Sequence, residues 1–398
     1  MTLAQMPRPL RWLTLTMIIA NISSEMYFPL LPLYLIHLGA SVREVGFYFT
    51  LEVIFGLISR ILGGWLSDSI GRLRSVALGA SFGVVAVLFL TFAPTWQMAL
   101  ASALMGQICV SLIAPSFQAF TAENAPAGST GKTFGLVNAL FLLCMIIGPL
   151  LGAFLVRVSG YRPMMGVASA IYILAWAIRV GLMLTSRHEA PKPLLVRRLT
   201  GDLRGALVML FSVPPLFALF IIDGLRDAGF QTAMPFLPQY VTQGGSDEAT
   251  YAALFSFSAV VSALVNLPAG AWSDRYGEKR MIFLGMSAFG LSLIGLVTLP
   301  FSLGLLMAMF ALNGAGRALM DPAFNALLSK SVPSGSLGIM WGIFLTALGV
   351  WAVPMPYIGG LLYSEVSPTA TFIVAGALPL VGSLALLGLR AKTQTAPP

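Results

Sequence analysis

Several ionisable and amide side chains lie inside otherwise apolar runs. Asn21 and Glu25 lie four residues apart. Asp223, Arg226 and Asp227 lie at i, i+3 and i+4, and Gln231 follows four residues later. On a helix each set shares one face. An ionisable side chain in hydrocarbon costs at least about 2.5–3.5 kcal/mol on insertion scales, and those that persist usually face a cavity. Low dielectric disfavours a charged carboxylate, so Glu25 can carry a proton; a protonated acid that only ties helices together fits the same position. Arg226 can neutralise one neighbouring aspartate and leave the other to titrate, or all three can form a static triad. Glu52 either faces a cavity or pairs with Arg226. Arg317 and Asp321, four apart, either pair with each other or serve a gate or substrate contact. Arg60 and Arg179 are expected to snorkel toward the membrane surface.

The elements that must position these groups are membrane helices. Of 398 residues only 10% are charged, against about 25% in a soluble protein, and 57% are hydrophobic. The mean hydropathy is +0.87. A membrane helix needs about 20 apolar residues. Twelve stretches qualify: 11–37, 44–66, 75–94, 97–121, 133–156, 162–185, 211–242, 250–272, 281–300, 303–329, 337–363 and 369–389. Glu25 then lies about 21 Å along the first helix from Arg11, near mid-membrane. With both termini inside, the outer loops hold three basic residues, Arg43, Arg157 and Arg162. Four lie within spans, and the other sixteen of 23 are cytoplasmic, as the positive-inside rule requires. The net charge of +8 is therefore a topology signal. Scattered over short loops, it makes no face for nucleic acid. Cys109 and Cys144, both in apolar runs, read as small core residues.

The chain is written twice. Pro29-Leu-Leu-Pro32-Leu-Tyr34 recurs as Pro235-Phe-Leu-Pro238-Gln-Tyr240, and Gly64 to Asp68 as Gly270 to Asp274. Pro115, Phe117 and Ala119 recur as Pro322, Phe324 and Ala326. Gly131 and Gly135 match Gly338 and Gly342; Pro149 and Gly152 match Pro356 and Gly359. The repeat sets Asp227 against Asn21 and Gln231 against Glu25, so equivalent positions are polar in both halves. Two six-helix bundles are expected, 1–185 and 211–398, joined by a cytoplasmic linker over 186–210. Within the linker, 194–207 reads as a basic surface helix or a solvated tether.

After the second span of each half the chain resembles the major facilitator superfamily. The family's glycine, aspartate and basic pattern is complete at Gly270, Asp274, Arg275, Gly277, Lys279 and Arg280. In the first half it keeps Gly64, Asp68, Gly71 and Arg74, with Ser69 and Leu73 at two basic positions and Arg72 between them. The glycine allows close helix approach, and the aspartate can pair with arginine or accept backbone donors. The resemblance implies a cytoplasmic latch; loop charges that only fix topology are the alternative. Gly148, Pro149 and Gly152 are similar to the core of the family's antiporter motif, with Cys144 and Ala153 at its outer glycines. The family's fourth-span arginine has no counterpart, since no basic residue lies between Arg74 and Lys132. In the family the first, fourth, seventh and tenth spans line a central cavity.

No phosphate-binding loop, paired metal ligands or nucleophile elbow occurs, so neither an enzyme nor a cofactor is indicated. The expected function is secondary transport by alternating access: proton-coupled export of amphiphilic or lipophilic small molecules. Apolar walls with few polar groups suit such substrates better than sugars. A lipid or glycolipid exporter and a proton symporter for uptake are the alternatives. The expected partners are a small-molecule substrate, protons and the lipid bilayer of the cell membrane, with the chain acting as a monomer. A reporter fused after residue 398 should remain cytoplasmic; its appearance outside the cell would reverse the assigned topology.

Overall fold

The computed structural model describes residues 2–126, 128–185, 211, 212, 214–331 and 349–388, with side chains except at 60–69, 214, 215 and 331. The linker 186–210, the first part of the eleventh candidate span with Gly338 and Gly342, and the tail with Arg390 and Lys392 lie outside the described residues. So do the side chains of Arg60 and Asp68 and the surroundings of Gly64.

Among the described residues every regular element is a helix. The first half comprises α1 (Arg8–Tyr27), α2 (Leu31–His37), α3 (Val42–Ile70), α4 (Arg72–Phe92), α5 (Trp96–Asn124), α6 (Thr130–Ser159) and α7 (Tyr161–Thr185). The second comprises α8 (Pro214–Ala233), α9 (Leu237–Gln243), α10 (Glu248–Tyr276), α11 (Glu278–Thr298), α12 (Leu303–Ser331), α13 (Met355–Leu361) and α14 (Pro368–Gly388). Eight described helices are long and apolar enough to cross a membrane. Lipid offers no partner for backbone N–H and C=O, so a helix satisfies them within one segment. Thr91, Ser116, Thr121 and Thr232 turn their hydroxyls back onto carbonyls four residues earlier.

The sequence repeat is a repeat of elements. Both bounds of α1, α2, α3 and α4 shift by 206 to give α8, α9, α10 and α11, and those of α5 shift by 207 to give α12. Proline sets two of the breaks. Pro29 and Pro235 sit in the 3-10 turns Phe28–Leu30 and Met234–Phe236, where a residue without an N–H cannot continue the helical ladder. Gly71 and Gly277 separate α3 from α4 and α10 from α11 with φ of 92° and 90°, a left-handed backbone that favours glycine.

The chain divides into two compact units. One takes Met1–Leu195 with Pro235–Val260, the other Val196–Met234 with Val261–Pro398. In the first, a core of Leu10, Leu13, Val76, Ala80, Phe117 and Tyr172 is buried. Gly79 admits Leu112 and Ile113 of α5, and Gly83 admits the Tyr172 ring of α7. Residues 235–260 join this unit through α9 on α2 and through Ser256, whose Oγ donates to the Ile146 carbonyl of α6 at 2.8 Å. In the second unit the core is built on Leu216, Phe220, Ile282, Met286, Phe324 and Leu386.

Arg179 does not snorkel. It is 2% exposed; its Nε donates to Thr16 Oγ1 at 3.3 Å and an Nη to the Thr16 carbonyl at 3.1 Å. Acceptors on the packed neighbour α1 hold the guanidinium inside. Both cysteines are buried, as their apolar surroundings imply.

Two stability predictions follow from contacts and caps. A Cβ on Gly152 would strike the Met26 backbone, whereas one on Gly131 meets nothing within 4 Å. Gly152→Ala should therefore sharply reduce the yield of monodisperse protein in detergent, and Gly131→Ala should not. Asp247 Oδ1 caps α10 by accepting from Thr250 N at 2.8 Å and Thr250 Oγ1 at 2.7 Å. Those hydrogen bonds hold its carboxyl below the usual range. Its stabilisation is thus complete above the unfolded value near 4 and is lost as pH falls through the lower folded value. Asp247→Ala should cost about 0.5–1 kcal/mol at neutral pH, and thermal melts of variant and wild type should converge only once pH has fallen past the lowered folded value.

Candidate functional site

In the first unit the site is built on α1. Ser23 Oγ donates to the Ala168 carbonyl of α7 at 2.7 Å, which fixes the rotation of α1 near its C-terminal end. On another face Gly148 and Gly152 of α6 meet α1 directly. A Cβ on Gly148 would collide with the Glu25 side chain and backbone, and one on Gly152 with the Met26 backbone. The glycines of the antiporter-like stretch therefore set α6 against α1 at Glu25, with Pro149 buried between them. Asn21 and Glu25 are half-buried, and neither side chain has a hydrogen bond or ion pair among the described residues.

Within its own unit Glu52 has an amide partner. Gln107 Nε2 of α5 donates to Glu52 Oε1 at 3.1 Å. Gly56, one turn along α3, leaves room for the amide: a Cβ there would lie 2.8 Å from Gln107 Oε1. Sequence reasoning missed Gln107. Its one signal is an amide inside an apolar span.

In the second unit α8 and α12 form a cluster around Arg226. Its Nε lies 2.6 Å from Asp223 Oδ1, as the i, i+3 spacing predicts, and its Nη1 donates to Asp321 Oδ1 at 2.9 Å. The Asp223 approach is an ion contact, too bent to count as a hydrogen bond. Asp227 lies within electrostatic range of Arg226. Arg317 and Asp321 do not pair with each other. Arg226 reaches across from α8 and takes Asp321, while Arg317 lies over the Phe230 ring, Cζ 5.0 Å from its centroid. Gln231 is half-buried and makes no hydrogen bond among the described residues. The cluster thus holds three carboxyls against two guanidinium groups.

The turns after α3 and α10 carry the repeated motif, of which the side chains at 64–69 lie outside the described residues. Asp274 is exposed and has no ion pair among the described residues. A Cβ on Gly270 meets nothing within 4 Å, so no close approach depends on it. Arg275 lies over the ring of Tyr276 at 5.3 Å, and Arg280 is exposed. The ion pairs sit one helix further on. Arg72 Nε is 3.5 Å from Glu123 Oε1, and Lys330 Nζ pairs with Glu278 Oε1. Offsets of 206 and 207 carry Arg72 to Glu278 and Glu123 to Lys330, so one α4–α5 pair recurs between α11 and α12 with its signs exchanged. The sequence contained this signal in the repeat register.

A second polar group, also missed in sequence, lies at the other end of the first unit. The rings of Tyr34, His37 and Tyr161 stack within 5.3–6.4 Å, and the Tyr161 hydroxyl donates to Glu248 Oε1 at 3.4 Å. Among the described residues no three His, Cys, Asp or Glu side chains form a metal-binding group.

A model of the Major Facilitator Superfamily matches residues 13–225 and 219–398. Multidrug resistance protein MdtG of Proteus mirabilis (strain HI4320) is 25% identical over 371 residues, covering 89% of each chain. Multidrug resistance protein MdtG of Enterobacter lignolyticus (strain SCF1) is 25% identical over 410 residues, covering 98% of this chain and 96% of its own. A POT family transporter solved with 5-aminolevulinic acid superposes with a TM-score of 0.79 at 17% identity, over 96% of both chains. The nucleoside transporter NupG superposes with a TM-score of 0.80 at 15% identity, over 96% of this chain and 99% of its own. With the repeat of elements in register and both halves matched, the chain belongs to the Major Facilitator Superfamily and is a multi-pass membrane transporter, not an enzyme.

Proposed function

We propose that the chain exports amphiphilic or lipophilic small molecules in exchange for protons. It works by alternating access of two six-helix halves, residues 1–185 and 211–398, joined by a cytoplasmic linker over 186–210. Twelve spans, both termini inside, a cell-membrane location and a monomer complete the reading. The observation that carries it is Glu25. This carboxyl lies in the last turn of α1, just before the 3-10 break at Phe28–Leu30, has no hydrogen bond or ion pair among the described residues, and sits where Gly148 and Gly152 press α6 onto α1. An acid so placed can exchange its proton without breaking any bond that holds the unit together. The relatives named as multidrug resistance proteins favour export of varied apolar compounds. Half-buried Asn21 and Gln231 add hydrogen bonding, and Phe230 with Arg317 adds an aromatic and cationic edge.

Coupling requires a group whose protonation biases the inward- and outward-open states differently. Glu25→Gln mimics the protonated acid at nearly constant volume. In vesicles with an imposed pH gradient it should abolish proton-driven accumulation while preserving substrate binding and downhill exchange. The excess of carboxyls around Arg226 supports a second carrier. Asp227→Asn should reproduce the same loss if that cluster takes the proton. Full gradient-driven transport by Glu25→Gln would make Glu25 a structural acid.

A further inference from the structure

In the second unit, the start of α11 and the end of α14 leave a cavity of about 310 Å³ between them, lined by Lys279, Arg280, Phe283, Leu284, Leu386 and Leu387. Its lining is graded. Lys279 and Arg280 lie in the first turn of α11. Phe283 and Leu284 lie about 6–8 Å deeper along the helix at 1.5 Å per residue. Leu386 and Leu387 close the other side from the last turn of α14. One wall faces outward: Leu284 is 50% and Leu387 67% exposed. Arg280 is exposed and has no ion pair or hydrogen bond among the described residues. Among the described lining residues there is no carboxylate, and the nearby Glu278 is paired with Lys330.

We propose that this cavity binds one anionic phospholipid, its phosphate on Lys279 and Arg280 and an acyl chain against Phe283, Leu284, Leu386 and Leu387. The polarity gradient matches that molecule end to end. Basic pockets between membrane helices attract anionic headgroups, and long basic side chains reach the headgroup level from an apolar stem. A free phosphate would use the rim and leave the apolar wall uncovered. A lipid seated here engages two basic residues of the repeated motif beside the Glu278–Lys330 pair, and thereby couples membrane composition to the start of α11. The site stands whether or not Glu25 carries the proton.

Native mass spectrometry of the full chain, released from nanodiscs of phosphatidylglycerol and phosphatidylcholine, tests this. At about 1 kcal/mol per basic contact, wild type should retain one phosphatidylglycerol with a preference of roughly thirtyfold. Arg280→Gln should lower that preference about fivefold. Leu284→Trp, which fills the cavity and keeps both cations, should displace the lipid, and Arg8→Gln, an exposed cation elsewhere, should change nothing. Equal retention by wild type, Arg280→Gln and Leu284→Trp would overturn the proposal. So would displacement of the lipid by inorganic phosphate alone, which marks a plain anion site. A chain ending at residue 388 that gains a lipid absent from the full chain would show the tail to be the occupant, and would also overturn it.

Discussion

Two missing Cβ atoms determine what surrounds Glu25. Because Gly148 and Gly152 carry no side chains, α6 meets the backbone of α1 at Glu25 and Met26. Small residues allow such approach where helices cannot draw on a hydrophobic driving force between them. With α6 on one face, and Ser23 tying α1 to the Ala168 carbonyl of α7 on another, the backbone that carries Glu25 is held by contacts that do not involve its carboxyl. A group held this way keeps its place when its protonation changes. That is the property a proton carrier needs and a hydrogen-bonded structural acid lacks.

The second unit handles its mid-helix charge differently. Arg226 bridges two helices through Asp223 and Asp321, and Arg317 is shielded by the Phe230 face. An isolated charge in low dielectric is costly, whereas charges that compensate within contact distance are tolerated. The ends of the helices show that the repeat conserves geometry and not charge. Arg72 with Glu123 becomes Glu278 with Lys330: the two positions remain neighbours, and the sign of each is reversed. An ion pair survives such an exchange because attraction depends only on the product of the charges. The flanking glycines at 71 and 277 cannot be exchanged so freely, because their positive φ constrains the backbone itself.

Much of the fold was legible in the sequence because it follows from local rules. Apolar run length gives the helices, Pro29 and Pro235 give the 3-10 breaks, and the register of the repeat fixes where α8 to α12 begin. The Asp223–Arg226 contact was legible because i, i+3 spacing makes the two neighbours on one helix. The remaining partners are tertiary and leave no local trace. Asp321 is four residues from Arg317, yet it binds Arg226 on another helix. Glu52 lies in a span with no polar neighbour at helical spacing, and Gln107 meets it only because α3 packs on α5 at Gly56. Arg179 follows the same logic. Snorkelling is the default for a cation on a lipid-facing helix, but the Thr16 hydroxyl and carbonyl on the packed face of α1 offer better acceptors than a distant interface.

Arg179 also bears on how protonation of Glu25 can act. The guanidinium joins α7 to α1 through Thr16 and touches Met17 Sδ at 3.1 Å, two turns before Glu25 on the same helix. A buried charge that loses its hydrogen-bond acceptors carries a desolvation penalty larger than that of a neutral group, so these contacts favour keeping α1 on α7. With α6 locked on α1 at Gly148 and Gly152, α1 has no freedom to slide within its own unit. In the proposed mechanism, uptake of a proton by Glu25 changes the charge that the unit presents and leaves its internal packing intact, so its mechanical effect comes from what that charge attracts or repels.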